Sequence, residues 1–96
     1  MHPNTPISLR STYHMLANTF SSGVPEEHYF ILLKILYEEL SARNLALVIS
    51  EVTKKEYSEV INNIYRLPTI EYKENVRKQT LDRLKIYGYD NWLKEQ

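Results

Sequence analysis

Between Ser21 and Leu40 the hydrophobic positions leave almost no polar face. Tyr29, Phe30, Ile31, Leu32, Leu33, Ile35, Leu36, Tyr37 and Leu40 are interrupted chiefly by Lys34 and the pair Glu38 and Glu39. Gly23 can close a preceding helix in the left-handed conformation. Pro25 can open the next at its first turn, where a missing N–H costs nothing. The pattern predicts a helix from Pro25 to Leu40, and a helix apolar nearly all round must be surrounded by other helices.

The rest of the chain supplies the surround. Ser8 is placed to cap a first helix in which Leu9, Tyr13, Leu16, Ala17 and Phe20 recur at helical spacing, with Arg10, Ser11 and His14 opposite. Ser41 can cap a third helix with Leu45, Val48, Ile49 and Val52 at i, i+3, i+4 and i+7, and Glu51 four residues before Lys55. This helix fades near Thr53 to Glu56. Ser58 is placed to cap a short fourth helix with Ile61, Ile64 and Tyr65 inward, ending near Arg66 because Pro68 disfavours helical geometry at Leu67. A long fifth helix runs from Thr69 to about Tyr87, with Val76, Leu81, Leu84 and Ile86 or Tyr87 as its apolar edge and Glu74 paired with Lys78. Gly88 stops it. Tyr89, Trp92 and Leu93 then form a short tail that folds back over the core, since so much exposed apolar surface would be a liability.

No stretch alternates long enough for a strand, and no internal repeat is visible. The fold class is therefore all-α: one compact bundle of about five helices around the central helix Pro25 to Leu40. Residues 8–96 form a single domain behind an arm of residues 1–7, where Pro3 and Pro6 with Asn4 and Thr5 offer turns without periodicity.

Charge removes the usual argument for a nucleic-acid partner. Twelve Lys and Arg balance twelve Asp and Glu, and no segment gathers a basic footprint. There is no cysteine, so thiolate and disulfide chemistry are absent and an intracellular address is permitted. With no secretory signal expected and no apolar run long enough to span a bilayer, the expected location is cytoplasmic, with no membrane partner.

The order of signals also carries a resemblance. Gly23-Val24-Pro25 is followed by Tyr29 and Leu32-Leu33; Leu40-Ser41 opens the next helix; Leu67-Pro68 opens a long helix closing with Arg83-Leu84 and Gly88-Tyr89. Over about Phe20 to Asp90 this resembles the domain-of-unknown-function 3349 family, small bacterial proteins best represented in actinobacteria. The chain departs from the family pattern at Asn44, where an acidic residue is usual after the cap serine, and at Tyr89, where tryptophan is usual. The resemblance implies an all-helical domain and no activity, since no biochemical function is established for the family, and no functional residue is carried over.

Reaction chemistry is scarce. Gly23 and Gly88 are the only glycines and lie far apart, so neither a glycine-rich phosphate loop nor a dinucleotide fingerprint can be built. No serine has the glycine-flanked setting of a nucleophile elbow, and Ser21, Ser22, Ser41 and Ser58 sit where turns and caps want them. His2, His14 and His28 lack a second histidine at i+3 or i+4 and read as solvated or capping. Glu26 and Glu27 complement the positive end of a helix macrodipole, while Glu38 and Glu39 are hydrated near the other end. No catalytic, metal or cofactor-binding residue is assigned, and the chain reads as a non-enzyme.

What stands out is eight tyrosines. Most suit boundary positions with the ring buried and the hydroxyl wet, yet tyrosine and tryptophan also dominate protein interfaces. Tyr72, on the polar side of helix five, and the cluster Tyr87, Tyr89 and Trp92 are the candidate interaction surface. The leading expectation is a non-catalytic module binding another protein or its own copy. The alternative is a helix-turn-helix nucleic-acid binder, with helices three and four joined around Thr53 to Tyr57 and Asn62, Asn63 and Arg66 as readers. A small enzyme would need a pocket holding perturbed titratable groups.

Overall fold

Six α-helices and one 3-10 turn account for the regular structure in the computed structural model, which describes residues 9–96, and no strand occurs among them. They are α1 (Arg10–Thr19), α2 (Glu26–Tyr37), α3 (Ala42–Thr53), α4 (Tyr57–Tyr65), the 3-10 turn Leu67–Thr69, α5 (Glu74–Ile86) and α6 (Tyr89–Lys94). The fold is all-α, as the periodicity requires. The short tail expected after Gly88 does fold back over the core, and it does so as a sixth helix.

Local chemistry explains most boundaries. Gly23 adopts φ 97°, the left-handed conformation that lets the chain reverse after α1. Pro25 stands at the N-cap of α2 with extended backbone, one residue outside the helix, and its carbonyl accepts from the His28 N–H at 2.9 Å. At the other end α2 stops at Tyr37, short of Leu40: the last turn tightens as the Glu39 N–H donates to the Leu36 carbonyl at 3.0 Å, and the Leu40 N–H shares that acceptor at 3.0 Å. The Ser41 hydroxyl accepts from the Asn44 N–H at 3.1 Å, the cap that the sequence signals for α3. Ser58 does not cap α4, because the helix begins earlier, at Tyr57, with Glu56 in the cap position. Leu9 occupies the cap position of α1, while Ser8 and the arm 1–7 lie outside the described residues.

Two turns differ from the sequence reading. Lys54 takes the left-handed conformation at the C-cap of α3, φ 64°, a place usually given to glycine. The helix expected to restart at Thr69 starts only at Glu74, because Leu67–Thr69 winds as a 3-10 turn and Ile70 and Lys73 are extended.

α1 lies against α3 and α5, and α2 packs on those same two helices. α4 and the 3-10 turn complete the surround of α2; α6 bridges α1 and α5. The central helix buries Tyr29, Ile31, Leu32, Leu33, Ile35 and Leu36, which join Leu16, Leu45, Val48, Ile49, Val60, Ile64 and Leu84 in one continuous core.

The wrapping of α2 is incomplete, and several inward assignments need correction. Phe30 is only half-buried, and Lys34 and Tyr37 are exposed, so one stripe of α2 reaches the surface. Tyr65 points outward at 66% exposure while Val60 takes its place in the core; Ile86 is 77% exposed and Tyr87 is exposed too, while Thr80 is buried. Thr12 and Thr19 are also buried on α1. Hydroxyl bonding explains the threonines: Thr19 Oγ1 donates to the Met15 carbonyl at 2.7 Å and Thr80 Oγ1 to the Val76 carbonyl at 2.8 Å. Neither anticipated i, i+4 ion pair forms as expected. Lys55 meets Glu26 at 3.7 Å and Glu59 at 3.6 Å, and Glu74 meets Arg77 at 3.8 Å.

Candidate interaction surface

The four aromatic residues singled out from the sequence divide into two environments. Gly88, at φ 100°, turns the chain into α6 and directs Tyr89 and Trp92 inward. Their rings stack at 5.7 Å between centroids, and the Trp92 indole Nε1–H donates to Thr12 Oγ1 at 2.7 Å. Trp92 is 3% exposed, so it and Tyr89 belong to the core and are withdrawn from the candidate surface. Burial raises the Tyr89 hydroxyl above its ordinary pKa, and the nearby charges of Glu39 and Glu38 add to the rise.

Tyr72 and Tyr87 remain exposed. They flank α5 at opposite ends, and a helix of this length separates them by about 20 Å, so they do not make one patch. Tyr72 is 38% exposed and precedes α5, in the extended segment after the 3-10 turn, where the sequence reading had placed it on the helix. The ammonium of Lys34 lies 4.6 Å from its ring centroid, a cation–π contact from the outward stripe of α2.

Around Tyr72 the structure assembles a surface that no single sequence window showed. A groove of about 490 Å³ opens between the N-terminal half of α2 and residues 70–76, floored by Phe30, Ile31, Ile70 and Val76 and rimmed by Glu26, Glu27, Glu71 and Lys73. Beyond Lys34 a second groove of about 260 Å³ is lined by Tyr37, Glu38, Leu67 and Pro68. Phe30, Lys34 and Tyr37 fall at i, i+4 and i+7 on α2, the one sequence signal that marked this stripe. The guanidinium of Arg66 lies 5.8 Å from the Phe30 ring centroid.

Other polar groups serve packing. Thr80 directs its hydroxyl proton to the Val76 carbonyl, so the 2.8 Å contact with His28 is donated by the imidazole Nδ1–H; His28 Nε2 stands 3.5 Å from Glu27. The order carboxylate, imidazole, hydroxyl is that of a nucleophilic triad, but the proton runs the wrong way for a base to activate the hydroxyl, and Thr80 is buried. His28 is thus a clip between α2 and α5, neither solvated nor capping. Asn63 Nδ2 donates to the Tyr29 hydroxyl at 2.9 Å, turning one anticipated nucleic-acid reader inward, while Asn62 and Arg66 stay exposed. Burial raises the Tyr29 hydroxyl pKa, and the Asn63 bond and the Lys55 charge oppose the rise. Among the described residues no group of three or more His, Asp or Glu is arranged to hold a metal ion, and no helix is long and apolar enough to cross a membrane.

Searches of protein-family models, curated proteins and solved structures find nothing that matches this chain.

Proposed function

We propose that this protein is a non-catalytic helical interaction module that docks a partner through the face formed by α2 and residues 67–76. The observation that carries the reading is Tyr72. It is a large aromatic residue held outside the core, supported by Lys34 and bordering a groove whose floor is apolar. Interfaces favour such rings because they supply wide contact area at little rotamer cost, and a continuous packed core lies behind this one. Tyr37, Leu67 and Pro68 extend the same face. The nucleic-acid alternative draws on the short turn joining α3 and α4, but Asn63 is engaged with Tyr29, and Glu56 and Glu59 balance Lys54 and Lys55 around that turn, so no basic footprint forms there.

A photo-crosslinking amino acid in place of Tyr72, introduced in cells, tests the reading. A discrete crosslinked product, either a partner protein or a second copy, is expected at this position. It should be absent when the same group replaces Lys78 on the outer side of α5. Only uncrosslinked monomer from both positions would refute the docking face.

A further inference from the structure

We draw no further inference here: the strongest candidate, the apolar groove between the N-terminal half of α2 and residues 70–76, belongs to the docking face already described, and with Glu26, Glu27 and Glu71 set against Lys34, Arg66 and Lys73 around it nothing in the structure shows what covers it.

Discussion

Trp92 and Tyr72 have similar sequence credentials, both large aromatic residues in the polar C-terminal third, yet the fold treats them oppositely. Trp92 is drawn inside because α6 brings its indole to a buried acceptor, Thr12 on the far end of the chain, and because Tyr89 covers its ring. Tyr72 sits in an extended segment with no core facing it, and its ring finds a lysine from α2. Aromatic residues are amphipathic enough to satisfy either environment. What separates the two is whether a neighbour supplies both apolar cover and a hydrogen-bond partner at once.

The largest test of this contrast is Trp92→Ala. Emptying a fully packed site of that size should cost about 3–5 kcal/mol and lower Tm by more than about 10 °C, read by circular dichroism. An unchanged Tm would erase the difference between the two regions. Thr12→Val probes the same clasp more gently: it keeps the volume but strands the indole N–H, for an expected loss of about 1–3 kcal/mol in a urea titration. A loss no larger for Thr12→Val than for an exposed substitution would mean that cover alone holds Trp92.

The buried hydroxyls sharpen the comparison through pH. Both Tyr29 and Tyr89 have pKa values raised above 10.0, foremost by burial, so the folded state holds their protons more tightly than the unfolded chain does. Their contribution is complete below pH about 10 and is lost as pH rises through the raised values. The urea midpoint should therefore decline on the alkaline side, and Tyr89→Phe should flatten that decline. The smallest expected effect is on the fold of Tyr72→Ala. An exposed ring with one cation–π contact contributes less than about 1 kcal/mol, so Tm should barely move while any partner affinity falls. A collapse of Tm instead would place Tyr72 in the same class as Trp92.

Much of the architecture was legible residue by residue. The run from Tyr29 to Leu36 announced the central helix; Gly23 and Gly88 announced the reversals they make at positive φ; Ser41 announced its cap. The docking face was hardly legible. Phe30 and Tyr37 look like core residues in a run of apolar neighbours, and only the placement of residues 67–76 beside α2 shows which face they occupy. Nor does sequence reveal that Lys54 takes the left-handed position without glycine, since the packing of α3 on α4 outweighs a small local backbone cost.

By itself the sequence determined the helical class, the central position of α2 and the main breaks between helices, because periodicity, glycine and capping act within a turn or two of chain. The tertiary structure alone decided which aromatic residues are core and which are surface, why Thr12 and Thr80 are buried, and where the groove beside Tyr72 lies. Those outcomes depend on partners far apart in sequence, as Trp92 and Thr12 or His28 and Thr80 are, and burial is a property of what packs opposite a residue.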